Sequence, residues 1–456
     1  MKFIPSLDKN FYPLVVALEE YEEKVKSIKE KDELIICVER NNGYNFIYKN
    51  YIFTDNTGHD NETFVLFERI LKTILYLAGG YKIIISGSKQ FYNNIKETYS
   101  LTGKRKFDVE FMEQVYEEKF EVLFEEDSSK LVLKEETIQI NNDLSGNRIG
   151  FDAGGSDRKV SALVDGKCIF SEETVWNPKT NSDPQYHYNG ILESMKKAAS
   201  YMNNKVDAIG VSSAGIYINN RTMMASLFLQ VGKEDFQKTV KNIYIDVAKE
   251  FGDVPLVVAN DGDVAALAGA KSLNDTGVLG IAMGTSEAVG YVDLNGNIKG
   301  WLNELAFVPV DLNENSLIDE WSGDVGCGVK YFSQDSVIKL AENNGFKFDE
   351  GLTPAQKLKV IQKLNEENDT FANEIFENIG VYLAYALSYY SKFYDLKHVL
   401  LLGRVVSGKG GNTILDICRS ILPEINFELT NLVVELPDEK TRRVGQSEAA
   451  AMLPSL

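Results

Sequence analysis

Two segments of this chain, far apart in sequence, follow one small design: an apolar strand, a turn of small residues, and a returning strand. In the first, Ile149 to Asp152 runs into Ala153-Gly154-Gly155-Ser156 and returns as Lys159 to Val164. In the second, Gly277 to Ala282 runs into Met283-Gly284-Thr285-Ser286 and returns as Glu287 to Val292. A hairpin tip of small residues lets backbone N–H groups come close to a phosphate and donate to it. Two such tips, one in each of two domains, could clamp a triphosphate from both sides. Asp152, at the end of its strand, offers a hard carboxylate oxygen suited to Mg²⁺ through water. Either hairpin alone is also an ordinary structural turn.

Two further segments share this chemistry. Val257 to Ala259 is an apolar strand that delivers Asn260 and Asp261 to the start of a helix. Asp261 there is either a helix N-cap or a general base that takes the proton from an attacking hydroxyl. Leu400 to Leu402 is a buried-type strand that enters Gly403-Arg404-Val405-Val406-Ser407-Gly408 before a helix. Small residues after such a strand leave room for a nucleobase and ribose. The segment lacks the spacing of a P-loop and of a dinucleotide fingerprint.

The order of the four segments resembles the actin/hexokinase/Hsp70 superfamily, and within it the ROK family of repressors, uncharacterised frames and sugar kinases. The family's D-x-G-G-T is here Asp152-Ala153-Gly154-Gly155-Ser156. Its N-D-A-N-A-A-A is Asn260-Asp261-Gly262-Asp263-Val264-Ala265-Ala266, and its G-T-G-I-G-G-G looks like Gly284 to Gly290. Its adenosine-side strand looks like Val399 to Gly408. The resemblance covers roughly residues 148–456. It implies an α/β protein of duplicated actin-like (ribonuclease H-like) ATPase domains forming a two-lobed cleft, with a first lobe at 146–268 and a second at 269–456. It implies a kinase in which Asp152, Gly154, Gly155, Ser156, Lys159, Gly284, Thr285, Ser286, Gly403, Arg404 and Gly408 hold Mg-ATP. Asp261 is then the base, and Asn260, Asp261, Glu304 and Gln334 bind a sugar or polyol.

Two family motifs survive only in part. The sugar-binding E-x-G-H falls on Glu304-Leu305-Ala306-Phe307, which keeps the Glu and loses the His. The zinc segment falls on Gly326 to Gln334, where Cys327 alone remains of the thiols and Gln334 replaces the last Glu. A structural zinc is therefore not expected, and the sugar pocket must differ. Trp301, Phe307, Trp321, Tyr331 and Phe332 make the region aromatic, either to stack on a sugar or to pack as core.

Residues 1–145 lie outside the resemblance and read as an α/β accessory domain. Residues 62–99 and 373–420 share the order helix, strand, Gly, helix, so the N-terminal domain is either a reduced copy of the nucleotide fold or an ordinary α/β unit. The net charge of −19 leaves no concentrated basic face for nucleic acid or an anionic membrane. Arg158 and Lys159 follow the first hairpin, and Arg442 and Arg443 precede the final helix. The four cysteines are scattered without a C-x-x-C pair, which suits a reducing compartment. With neither a signal-like start nor a membrane-length apolar run, a cytoplasmic protein is expected, and the frequent Tyr and Phe across residues 1–145 allow a protein interface such as that of a homodimer. Two other functions stay open: a superfamily ATPase that drives a change in a partner, and a sugar sensor without catalysis.

Overall fold

The computed structural model describes residues 1–140, 144–437 and 445–456. In chain order its elements begin with α1 (Leu14–Lys26), β1 (Lys31–Glu39), β2 (Asn45–Phe53), α2 (Asp60–Leu77), β3 (Lys82–Ser86), α3 (Lys89–Thr98), α4 (Lys106–Tyr116), β4 (Glu121–Phe124) and β5 (Thr137–Ile138). There follow β6 (Asn147–Ala153), β7 (Asp157–Val164), β8 (Lys167–Val175), α5 (Pro184–Ser200), β9 (Ala208–Ser213), β10 (Ile216–Ile218) and β11 (Arg221–Met224). Next are α6 (Lys233–Lys238), α7 (Ile243–Lys249), β12 (Leu256–Asn260), α8 (Asp261–Leu273), β13 (Val278–Met283), β14 (Glu287–Val292) and β15 (Ile298–Lys299). The chain continues through α9 (Gln334–Asn343), α10 (Pro354–Glu366), α11 (Thr370–Tyr390), β16 (His398–Leu402), α12 (Lys409–Ile425) and β17 (Val433–Glu435), and a last helix spans Gly445–Ala450. Arg442 and Arg443 lie outside the described residues.

The chain divides into two compact units. The smaller comprises 137–280, 290–299 and 437–456, and the larger 1–136, 281–289 and 300–436. The smaller unit holds a five-stranded sheet in the order β12-β9-β6-β7-β8. β12, β9 and β6 are parallel, while β7 and β8 return antiparallel. β6, β9 and the centre of β7 are buried nearly throughout, as their apolar runs require. Two glycines let the last helix lie flush on this sheet. A Cβ on Gly150 would meet the Ser447 carbonyl at 1.7 Å, and one on Gly210 would meet the Ala450 carbonyl at the same distance.

In the larger unit the N-terminal sheet has the order β2-β1-β3-β4. β1 is antiparallel to both β2 and β3, and β3 is parallel to β4. This is the strand order and direction of the smaller unit's sheet with the place of β6 left out. A further sheet has six strands in the order β17-β16-β13-β14-β15-β5.

A buried ionic cluster ties the N-terminal helices to the segment after Trp321. Asp324 Oδ2 accepts from Arg69 at 2.6 Å and Lys72 at 2.5 Å, and lies 2.8 Å from Arg105 Nη1. Arg105 also grips Glu68 through two bonds of 2.6 and 2.9 Å. Burial alone would raise the Asp324 carboxyl, but the charges of Arg69, Lys72 and Arg105 hold it far below the ordinary range.

The segment from Lys233 to Phe251, which reads as one helix, breaks at Thr239 into α6 and α7. All of the segment's buried apolar positions follow the break, from Val240 to Ala248, whereas α6 has no buried residue and cannot share that axis on the core. The helices α9 and α10 were not foreseen, although their caps are legible: Ser333 caps α9, and Thr353 with Gln356 forms a capping box around Pro354 on α10.

Candidate functional site

In the smaller unit the parallel strands bring their carboxyl ends together. Register pairs Asp152 with Ser212 and Ser212 with Ala259; one step further, Ala153, Ser213 and Asn260 align. Asp152, Ser212, Ser213 and Asn260 therefore share the edge where ligands bind in open α/β sheets. Asp152 is buried, and Ser212 donates a 2.6 Å hydrogen bond to its Oδ1. Burial pushes its pKa up to about 6; the Ser212 bond and Lys159 oppose this, and the charge of Asp261 adds to it. A desolvated carboxylate at a strand end fits a hard divalent cation, which restores the charge compensation that burial removes. Such an ion would neutralise phosphate charge when bound.

A raised carboxyl stabilises the fold below its unfolded pKa and loses that contribution as pH rises through the folded value. For Asp152 the loss runs from about pH 4 to the folded value of about 6. Asp152→Asn is expected to raise unfolding stability at pH 7 by about 1–3 kcal/mol in denaturant titrations, with the gain vanishing near pH 4. The same variant should bind Mg-ATP more weakly.

The capping at α8 differs from the simple sequence reading. Asn260, not Asp261, is the N-cap: its Oδ1 accepts from Gly262 N–H at 2.7 Å while its amide donates to the Gly215 carbonyl at 2.7 Å. Asp261 is the first helical residue, released from the capping role that was its structural explanation. Burial raises its pKa, opposed by the Gly262 backbone bond and by Lys179. Asp263, two residues on, accepts from the Tyr291 N–H at 3.1 Å and so faces the sheet.

The first hairpin tip is open at Ser156, which is exposed and donates to Asp157 Oδ2 at 3.1 Å. Trp176 Nε1 pins the Gly154 carbonyl at 2.8 Å. A Cβ on Gly155 would lie 2.9 Å from Lys179 Cε and 3.2 Å from its Nζ. Lys179 thus brings its ammonium to the tip, and its charge also acts on Asp261. Sequence reading missed it, since a lone Lys in a polar loop carries no pattern. Lys159 pairs with Asp157 at 3.3 Å. Arg158 is neither a phosphate ligand nor an exposed turn residue: it is buried, bonds Ser194 at 2.8 Å and Glu193 at 3.1 Å, and packs over Trp176.

In the larger unit the second hairpin and the Gly403 loop form one assembly. Arg404 Nη2 donates to Thr285 Oγ1 at 2.7 Å, and Val405 N–H to the Met283 carbonyl at 3.0 Å. Gly403 has φ +93°, and a Cβ there would meet the Met283 carbonyl at 2.3 Å, so only glycine allows this approach. Ser286 accepts through its carbonyl from Gly284 N–H at 3.0 Å, closing the tip. Gly408 precedes α12, where Glu366 accepts from Lys409 N–H at 2.7 Å. A carboxylate already occupies that helix start, so the loop suits a base and ribose better than a phosphate.

Glu304 is positioned by the N-terminal helix α2. The Tyr76 carbonyl accepts from Glu304 N–H at 3.0 Å and the Leu77 carbonyl from Asn303 N–H at 2.9 Å. Phe307 packs among Tyr76, Phe107 and Phe111 with ring centroids 4.9, 6.0 and 5.7 Å away. Trp301, Tyr331 and Phe332 are buried as core, whereas Trp321 is 60 % exposed. Gln334 is buried at the start of α9, its N–H held by the Gly284 carbonyl at 2.9 Å. Cys327 is buried beside Lys72, Asp324 and Arg69, and burial raises its thiol pKa.

This arrangement has known counterparts in three dimensions. A ROK hexokinase from Thermus thermophilus superposes with a TM-score of 0.53 at 15% identity, over 68% of this chain and 98% of that one. A candidate N-acetylmannosamine kinase from Listeria monocytogenes gives 0.50 at 18% identity, over 68% and 98%. The fold is that of the ROK proteins. A ROK family transcriptional regulator, a homologue of the E. coli MLC protein, gives 0.50 at 13% identity over 69% of this chain and 80% of the regulator. No protein-family model and no curated sequence matches the chain. No helix among the described residues is long and apolar enough to cross a membrane.

Proposed function

We propose that this ROK-fold protein transfers the γ-phosphoryl group of ATP to a hydroxyl of a sugar or similar polyol. The observation that carries this reading is Asp261, a carboxyl of raised basicity at a parallel-strand end whose helix is capped by its neighbour. Asp261 takes the acceptor's hydroxyl proton as that oxygen bonds the γ-phosphorus and ADP departs. Asn260, Glu304 and Gln334 orient acceptor hydroxyls. The backbone at Gly154, Gly155 and Ser156, with Lys159 and Lys179, binds phosphate on the smaller unit. Gly284, Thr285 and Ser286 do so on the larger, where Gly403, Arg404 and Gly408 receive the nucleoside. Asp152 would help to hold a Mg²⁺ ion that neutralises phosphate charge when bound. Such chemistry needs positioning and charge compensation more than covalent groups.

A coupled ADP-release assay with Mg-ATP and a sugar panel tests this, alongside direct detection of the sugar phosphate. Sugar-dependent ADP release is expected, and Lys179→Ala should raise the KM for ATP about tenfold. ADP release without a phosphorylated sugar would make the protein an ATPase instead. Sugar binding without any nucleotide effect would make it a sensor.

A further inference from the structure

Glu287 begins β14 at the base of the second hairpin and has no role in the mechanism above. It is 4 % exposed, and neither of its carboxylate oxygens has a hydrogen-bond partner. Burying an ionisable group without a partner is costly, so its persistence points to a partner that arrives with a ligand. Its surroundings define the chemistry of that partner. A Cβ on Gly328 would meet Glu287 Oε2 at 2.4 Å and the Leu305 carbonyl at 2.5 Å, so two acceptors converge over a residue without a side chain. The Leu305 carbonyl accepts one bond, from Val308 N–H at 2.9 Å, and keeps a second lone pair. Glu304 is half-buried, and its charge acts on Glu287. Gln334 adds a buried Oε1 that also lacks a partner. The Tyr390 hydroxyl is buried too and makes no bond to the pair. Burial, and then repulsion from Glu304, push the Glu287 carboxyl well above the ordinary range.

Acceptors thus outnumber donors around Glu287, where the Tyr390 hydroxyl is a buried donor that makes no bond to it. Neutral sugar hydroxyls each bring one donor and no charge to the unpartnered Glu287 carboxyl. A divalent metal prefers more hard ligands than two carboxylates supply, and no group of three such side chains suited to a metal occurs among the described residues. A primary ammonium brings three N–H donors and one positive charge, which matches this set. We propose that Glu287 and Glu304 receive a protonated primary amine on the acceptor, which makes amino sugars the substrate class. The inference rests on the phosphotransferase reading for its acceptor, and names the chemistry of that acceptor.

Calorimetric titration with glucosamine, glucose and N-acetylglucosamine tests it, with ammonium chloride and potassium chloride as separate titrants. Glucosamine is expected to bind at least about 30-fold more tightly than glucose, with the N-acetyl derivative losing the advantage. Glu287→Gln keeps the shape and removes the ionisable carboxyl, so it should fold with an undiminished unfolding midpoint and bind glucosamine no better than glucose. Equal affinity for the two sugars, unchanged by Glu287→Gln, overturns the inference even if both are phosphorylated. Glu287-dependent binding of potassium in preference to amines overturns it as well. Glucosamine binding that depends on Glu287 but leads to no phosphoryl transfer supports the amine site and removes the kinase reading instead.

Discussion

Asp261→Asn is expected to lower kcat for phosphoryl transfer by about 10²–10⁴-fold, while the KM for ATP stays within about threefold. The expectation follows from the division of labour at α8. Asn260 supplies the cap, so Asp261 can lose its charge without costing the helix its N-terminus. An asparagine there still fits the first turn, and the bond that Gly262 donates to Asp261 at 3.0 Å has an amide oxygen to receive it. What disappears is the carboxylate proposed as proton acceptor. A general base works best when its pKa approaches the working pH, and burial moves Asp261 in that direction. Single-turnover measurements separate this loss from slow product release. Full activity in the variant would remove Asp261 from the chemistry.

Asp324→Ala is expected to destabilise the larger unit by about 3–5 kcal/mol, because it leaves Arg69, Lys72 and Arg105 buried around a missing charge. Denaturant unfolding followed by tryptophan fluorescence should show it, and Asp324→Asn should fall between the variant and the parent. The pH response carries a sign. A carboxyl with a depressed folded pKa contributes stability above its unfolded value, and loses it only as pH falls through the folded one. Asp324 is held far below the ordinary range, so acid titration to about pH 4 should leave this cluster intact. Acid sensitivity near pH 4–5 confined to this cluster would contradict that placement.

The segments proposed to bind phosphate stand out in the sequence because their pattern is local. Gly154-Gly155 and Asn260-Asp261 sit on contiguous strand–turn and strand–helix segments, and residue type and order carry the message. What stayed hidden depends on contacts across long sequence separations. Ser212 reaches Asp152 only through the parallel pairing of β9 with β6, and Lys179 reaches Gly155 only through the path of the chain after β8. Glu287 occupied a hairpin strand whose alternation gave no hint that its side chain points inward without a partner. Phe307 looked like a lost sugar ligand; its surroundings make it the contact point for Tyr76, Phe107 and Phe111, none of which a local pattern links to it.

The N-terminal sheet, with its order β2-β1-β3-β4, lacks a counterpart of β6. In the smaller unit that strand is the one that bears Asp152 and leads into Gly154 and Gly155. The omission therefore leaves residues 1–136 without counterparts of Asp152 and of the Gly154-Gly155 tip. Its helix α2 ends instead on Tyr76 and Leu77, whose carbonyls hold Asn303 and Glu304. Helix α2 thus serves as a mould for a neighbouring loop, so a change at Tyr76 or Leu77 would reach Glu304 through its backbone alone.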